Sequence, residues 1–254
     1  MVTTTPRPHC PFRLLMQLRS PVVLKDFAPS LDGVLYSVLE AHMPGADIAE
    51  RLSVMDSLLT LHPMGVYHAS SMRFGVSAAF ENGYDLSRGV TVAKYIRSDS
   101  MARHKLQSAL YAPFGKRVAS PYPLIQTAGG PYKNRLTERE AYAAPFVVFD
   151  GCGDGDRVHD LLAHYLMGIG YDADNANAGA IGEIEMVSLK SDVSLVLPNG
   201  LANRCLPVEL AQSIHASGLS TQNRLCPPYY QGKKVPVIAP ERIRIITNTD
   251  AMTA

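Results

Sequence analysis

The segment 129–135, GGPYKNR, combines residue types that suit a nucleic acid ligand. Tyr132 offers a flat ring on which a base can stack, and the amide of Asn134 can pair with a base edge. Lys133 and Arg135 can contact phosphates, and the two leading glycines let a backbone approach closely. Taken alone, the segment can equally be an ordinary turn with a packed tyrosine. It therefore predicts a nucleic-acid contact only together with other features.

The charge distribution supplies one such feature. The whole chain has a net charge of +1, but the stretch from Arg88 to Arg139 holds ten basic residues and two acidic ones, a net charge of +8, so the remainder carries −7. Such a stretch can meet a polyanion, although a solvated basic loop is the alternative. The candidate RNA-binding residues in this stretch are Arg97, Arg103, His104, Lys105, Lys116, Arg117, Tyr132, Lys133, Asn134 and Arg135.

A second candidate contact is the loop 168–182, which is rich in glycine and other small residues. Gly170 leaves the backbone amides accessible, and a glycine-rich loop can follow a sugar–phosphate backbone without steric conflict. Asn175 and Asn177 add amide side chains that can contact bases. The alternative is again an ordinary turn.

Patterns typical of enzymes are missing or incomplete. Gly168-x-Gly170 follows a helical pattern instead of a strand, and its third glycine has the wrong spacing for a dinucleotide site. The stretch 172–177, DADNAN, has alanine at a calcium-ligand position, and the chain contains no H-E-x-x-H or G-x-S-x-G motif. We therefore expect no metal and no cofactor. A metal-independent ribonuclease remains the alternative, because His104 stands between Arg103 and Lys105.

The elements that must position these residues alternate between strand and helix patterns. Apolar residues at i, i+3, i+4, i+7 and i+8 from Leu31 predict a helix over 30–42 with Ser30 as its cap. A second short helix is predicted over 47–61, and a third after a cap at Asp156. Strands are predicted at 12–24, 65–74, 144–151, 182–189 and 242–246.

This order predicts an α+β fold with a ferredoxin-like βαββαβ core, in which an antiparallel sheet carries two helices on one face and leaves the other available. Residues 1–254 form one domain in this interpretation, with 88–128 as a thumb-like basic insertion and 193–254 as a C-terminal β extension. RNA-recognition modules use this arrangement, as do many metabolic enzymes. The fold alone therefore leaves the function undecided.

Composition points to a reduced, cytoplasmic protein. No apolar run approaches the ~18–20 residues that span a bilayer, and the polar N-terminal residues lack a signal-peptide core. The four cysteines form no C-x-x-C pair, so neither a zinc site nor a disulfide framework is expected. We expect no contact with a membrane.

Four segments, in serial order, resemble one family. They are SLDGVLYSVLEA after the opening strand, GGPYKN, the stretch LLAHYLMGIGYDADNANAGAIGEIEM and the late CPPYY. Together they resemble the RAMP-type subunit that binds the 5′ handle of the crRNA in type IV CRISPR effector complexes, the counterpart of the fifth Cas protein of Cascade. The order of the segments over most of the chain carries the resemblance.

The resemblance implies a non-catalytic scaffold that holds the crRNA 5′ handle, contacts the first backbone RAMP subunit and, with the large subunit, touches target DNA near the PAM. It also identifies 168–182 as the glycine-rich loop of the family, which is lysine-rich in many relatives. Asp172 and Asp174 occur in the loop here, and carboxylates repel phosphates. We therefore expect phosphate contacts from the basic insertion and from 129–135.

Overall fold

A computed structural model describes residues 8–24, 27–76, 90–96, 135–171, 173 and 178–247, with the backbone alone for 90–96 and 135–137. The chain divides into two compact units, one formed by Met1–Val90 with Ala141–Ala254 and the other by Thr91–Glu140. Of the predicted insertion 88–128, only Val90–Ile96 lies among the described residues. The sites considered below belong to the larger unit.

The described elements of the first half are strands β1 (Cys10–Leu18) and β2 (Val22–Val23), helices α1 (Leu31–His42) and α2 (Ile48–Leu58), and strands β3 (Leu61–His62), β4 (Val66–Tyr67), β5 (Arg73–Val76) and β6 (Val90–Ile96). Those of the second half are β7 (Arg135–Tyr142), β8 (Phe146–Gly153), α3 (Gly155–Tyr165), β9 (Ile181–Ser188), β10 (Leu206–Pro207), α4 (Val208–Ser213), β11 (Leu219–Asn223), β12 (Val235–Ala239) and β13 (Ile245–Thr247).

The main sheet has five strands in the order β13-β5-β8-β1-β9. All neighbours in it are antiparallel except β13 and β5, which are parallel. A smaller antiparallel sheet has the order β10-β12-β11, and β2 pairs with the end of β7. The chain is therefore an α+β protein, as the sequence predicts.

The main core lies between this sheet and the helices. Phe12, Leu14 and Met16 alternate along β1 and are buried in it, since every second residue of a strand points to the same face. The apolar stripe predicted for α1 is buried in the same core. Each such side chain contributes roughly 1.5–3 kcal/mol when it leaves water. This packing fixes α1 on one face of the sheet.

The opposite face of the sheet is covered at one end, contrary to the expectation that it is available. Arg13 and Asp150 are directly opposite each other on β1 and β8, and both are buried. Asp150 accepts hydrogen bonds from Arg13 Nε at 2.6 Å, from Arg73 Nη2, and from Asn203 Nδ2 at 3.0 Å. Asn203 precedes β10, so the C-terminal extension occupies this position, where the sequence predicted an open platform.

Several predicted boundaries were wrong. The strand predicted over 12–24 divides into β1 and β2, because Pro21 has no N–H for a ladder. The strand predicted over 65–74 divides into β4 and β5. The third helix is capped by Asp154, which accepts a hydrogen bond from the Arg157 N–H at 3.2 Å, rather than by Asp156. No helix in the described ranges has the length and apolar character needed to cross a membrane.

Candidate nucleic-acid interface

Two carboxylates of α1 are held by consecutive tyrosines of the late CPPYY motif. Asp32 is fully buried and accepts a hydrogen bond from the Tyr229 hydroxyl at 2.8 Å. About two turns further along the helix, Glu40 accepts one from the Tyr230 hydroxyl at 2.8 Å. The CPPYY motif is therefore attached along α1, close to the start and the end of the SLDGVLYSVLEA segment.

Arg204 completes the buried end of this attachment. Its Nη2 lies 3.2 Å from Asp32 Oδ2. Burial alone would lower the pKa of Arg204, but the negative charge of Asp32 raises it above its ordinary value, so the guanidinium stays charged. Its other donors reach backbone carbonyls, those of Tyr67, Ala69 (3.2 Å) and Leu225 (2.8 Å). The pair is thus fully hydrogen-bonded, as a buried ion pair must be to persist.

Gly33 makes room for the ring of Tyr229. A Cβ atom at Gly33 would lie 3.1 Å from Tyr229 Cε2, which is closer than nearly all real contacts of this kind. Burial, followed by the charge of Asp32, raises the pKa of Tyr229 well above its ordinary value. The hydroxyl therefore remains a donor at neutral pH, and the motifs SLDG and CPPYY form one packed unit.

An open groove of about 710 Å³ runs between α1 and the glycine-rich loop. We call it the α1 groove. Val34 and Glu40 line its helix side, Phe27 lies at its rim after β2, and the loop contributes Gly170 and Tyr171. The groove is therefore built from the first helix, the residues after β2, and a loop more than a hundred residues later in the chain.

Two glycines fix the loop against the chain around β2. Gly170 has a φ of +96°, and a Cβ atom there would lie 2.7 Å from the carbonyl oxygen of Val23. Gly179 has a φ of +66°, and a Cβ atom there would collide with the carbonyl of Ile169. The N–H of Gly179 donates to the Pro21 carbonyl at 2.7 Å. Only glycine permits these close backbone approaches without strain.

The described lining of the α1 groove carries two exposed aromatic rings and one carboxylate. Phe27 and Tyr171 are 38% and 39% exposed. The side chain of Glu40 is 42% exposed, and its Oε1 lies 3.6 Å from Arg51 Nη1. Among the described residues, no lysine or arginine lines the groove. The described part of the groove therefore suits a base better than a phosphate.

A smaller cavity of about 270 Å³ adjoins the α1 groove. The two share Phe27, Pro29 and Gly33 as lining residues. Arg224 lines the smaller cavity, and its Nε donates to the Gly232 carbonyl at 2.9 Å. Arg224 therefore brings a cation to the cavity that shares these lining residues with the α1 groove.

A separate polar cluster joins the β4 region to the residues after β9. His68 Nδ1 lies 2.5 Å from Asp192 Oδ2, and the rings of His68 and His62 are 5.8 Å apart. Burial, and next the charge of His68, lower the pKa of His62. Within the described ranges, no three His, Cys, Asp or Glu side chains are grouped so that they can hold a metal ion.

The structure locates two of the predicted RNA-binding residues. Gly170 lines the α1 groove, and Arg135 is the first residue of β7. The remaining predicted residues lie outside the described residues, and the RNA-binding roles of all the predicted residues stay predictions. They are Arg97, Arg103, His104, Lys105, Lys116, Arg117, Tyr132, Lys133, Asn134, Asn175 and Asn177.

Sequence reasoning missed the other residues of the α1 groove. Phe27, Glu40 and Tyr171 stand in unrelated local patterns, and only the fold brings them together. For Tyr229 and Tyr230, the sequence does give an indication of function, because both lie in CPPYY, one of the segments that resemble the family.

Comparison with known proteins does not assign the chain to a family. No family model matches the chain, and no curated protein matches it significantly in sequence.

Proposed function

We propose that the chain is a non-catalytic RNA-binding subunit of a type IV CRISPR ribonucleoprotein, which holds the 5′ handle of the crRNA in the cytoplasm. The observation that carries this proposal is the α1 groove. Three of the four segments that resemble the family meet around it: the first helix, the glycine-rich loop and, through Tyr230, the CPPYY motif. Binding residues are often found on loops that a rigid scaffold holds in place, as the glycine-rich loop is held here.

The strand order supports a ferredoxin-like, RAMP-type core within this proposal. Along the chain, β1 is followed by α1, β5 and β8 follow, and α3 leads to β9. In the sheet these strands have the order β9-β1-β8-β5, with all neighbours antiparallel. This is the arrangement expected of a βαββαβ unit. The basic stretch 88–128 enters between β5 and β8, and α2, β3 and β4 are additions.

In the proposed subunit, different parts of the chain contact the phosphates and the bases of the RNA. The basic insertion and 129–135 contact the phosphates of the handle, since these ranges carry the excess positive charge. The α1 groove contacts bases. Backbone RAMP subunits and the large subunit are the proposed protein partners, and target DNA near the PAM is a further contact. Base pairing by the crRNA reads the target itself.

Salt-dependent RNA binding tests this function. We expect the double variant Lys133→Ala/Arg135→Ala to bind a short fluorescent single-stranded RNA of mixed sequence several-fold more weakly than the unmodified chain at moderate salt. The slope of log K against log salt should fall by about 1.4, since each phosphate contact on a single strand contributes about 0.7. Fluorescence anisotropy over a salt series measures both quantities.

The matched control is Lys190→Ala/Lys233→Ala, which removes two exposed lysines outside the basic stretch. An affinity and slope equal to those of this control would count against the assigned phosphate contacts. A cleavage gel in EDTA with CRISPR repeat RNA addresses the competing ribonuclease function. Intact RNA supports the scaffold, whereas product that disappears in His104→Ala would replace it with an enzyme.

A further inference from the structure

The α1 groove is large enough to admit a nucleobase, and aromatic side chains stand in its lining. Its volume of about 710 Å³ lies within the roughly 300–1,000 Å³ of sites that enclose small molecules. Phe27 and Tyr171 stand in its lining, and each exposes more than a third of its surface. Exposed rings of this kind hold bases by stacking, which works for any base. Selectivity among bases must come from a polar group in the groove.

Glu40 is that polar group. The Tyr230 hydroxyl donates to its Oε1 at 2.8 Å, and Arg51 Nη1 lies 3.6 Å from the same oxygen. Arg51 is itself held by the Met43 carbonyl at 3.1 Å. No hydrogen bond from any described residue reaches Oε2 of Glu40, although the side chain is 42% exposed. Among the described residues, the carboxylate is therefore held at Oε1, and Oε2 is available to a ligand.

A carboxylate accepts hydrogen bonds and repels other acceptors. Adenine and cytosine present a donor next to an acceptor on the Watson–Crick edge, and uracil presents one donor between two acceptors. Guanine alone presents two adjacent N–H donors, N1–H and the 2-amino group. Single-stranded RNA is commonly read on this edge. Resting on the RNA-binding function proposed above, we infer that the α1 groove holds an unpaired guanine of the bound RNA, recognised by Glu40 and stacked on Phe27 or Tyr171.

The test compares three labelled oligoribonucleotides that bind the full chain: a uridine oligomer, the same oligomer with one central guanosine, and the same with inosine in its place. Inosine lacks only the 2-amino group. We expect the guanosine oligomer to bind at least about fivefold more tightly than the uridine oligomer, with inosine between them. In Glu40→Gln the three affinities should become equal. Glu209→Gln, which changes an exposed acid on α4, should keep the preference.

The outcomes distinguish the guanine site from the RNA-binding function on which it rests. If binding depends on salt but all three oligomers bind the unmodified chain equally, the guanine site is overturned and the RNA-binding function stands. An undiminished guanine preference in Glu40→Gln overturns the role of Glu40 in the same way. If none of the oligomers binds in a salt-dependent manner, the proposed function itself fails. Phe27→Ala adds a second readout, since it should weaken binding of every oligomer by removing a stacking ring.

Discussion

At the scale of single residues, the attachment of the C-terminal segment to α1 depends on one buried carboxylate. Asp32 accepts hydrogen bonds from both Tyr229 and Arg204. Tyr229→Phe removes one donor and leaves the buried carboxylate less well satisfied. We expect it to lower the free energy of unfolding by about 1–3 kcal/mol. Urea unfolding followed by circular dichroism measures the change.

Tyr230→Phe is the matched control for this prediction. It removes the same atom from the neighbouring residue, but that side chain is 58% exposed. Its effect on the free energy of unfolding should stay within about 0.5 kcal/mol, as for most surface substitutions. Equal losses in the two variants would show that burial of the Asp32 hydrogen bond does not matter.

The sequence predicted the N-cap position of α1 correctly, but not the hydrogen-bond partner of the residue that occupies it. Ser30 was predicted to cap α1, and it does occupy the N-cap position, but its hydroxyl donates to Tyr229 Oη at 3.2 Å instead of accepting a backbone N–H. Nothing near Ser30 in sequence indicates Tyr229. The capping box of α2, in which Asp47 and Glu50 bond each other's backbone N–H, involves only residues within one turn. A cap of this kind can be recognised in a sequence, because both of its partners are local.

At the scale of elements, the glycine-rich loop depends on its approach to the chain around β2. Gly179→Ala should destabilise the chain by about 1–3 kcal/mol, because its positive φ strains an L side chain and the added Cβ meets the Ile169 carbonyl. The displaced loop should also weaken RNA binding at the α1 groove. Thermal unfolding and anisotropy measure the two effects.

Gly65→Ala separates the effect of backbone strain from that of close packing. Gly65, in the turn between β3 and β4, has a φ of +76°, but a Cβ atom there meets nothing within 4 Å. It should therefore show only the backbone strain of about 1 kcal/mol and leave RNA binding unchanged. If Gly179→Ala matched this control in both measurements, close packing of the loop would be unimportant for the groove.

The elements themselves were predictable where their pattern was long. The apolar stripe of α1 from Leu31 to Leu39 is buried as predicted. Apolar residues that repeat every 3.6 positions lie on one face of a helix, so the pattern predicts a helix and also the face that is buried. The polar strand β11, LSTQN, carries no alternating pattern and was not predicted. Apart from Gly170, the residues of the α1 groove were not predicted either. Its walls come from α1, from the residues after β2 and from the glycine-rich loop, which only the fold brings together.

At the scale of the whole molecule, a buried charge cluster joins the C-terminal extension to the main sheet. Asp150 on β8 accepts hydrogen bonds from Arg13 on β1, from Arg73 on β5 and from Asn203. Asn203 in turn accepts one from Arg244 Nη1 at 2.6 Å. Burial, and next the charge of Arg73, lower the pKa of Arg244 to about 9. Asp150 thus directly binds two of the three arginines of this cluster.

Asp150→Asn should therefore disrupt more than one contact. It removes the negative charge while leaving Arg13 and Arg73 buried at 3% and 5% exposure, and breaking a buried pair in this way costs about 3–5 kcal/mol. We expect a large loss in urea unfolding midpoint, or a chain that does not fold. Asp160→Asn makes the same chemical change at a side chain that is 78% exposed and should shift stability by no more than about 0.5 kcal/mol. If the two variants were equally stable, the cluster would not be what holds the C-terminal extension against the sheet, and the covered face would need another cause.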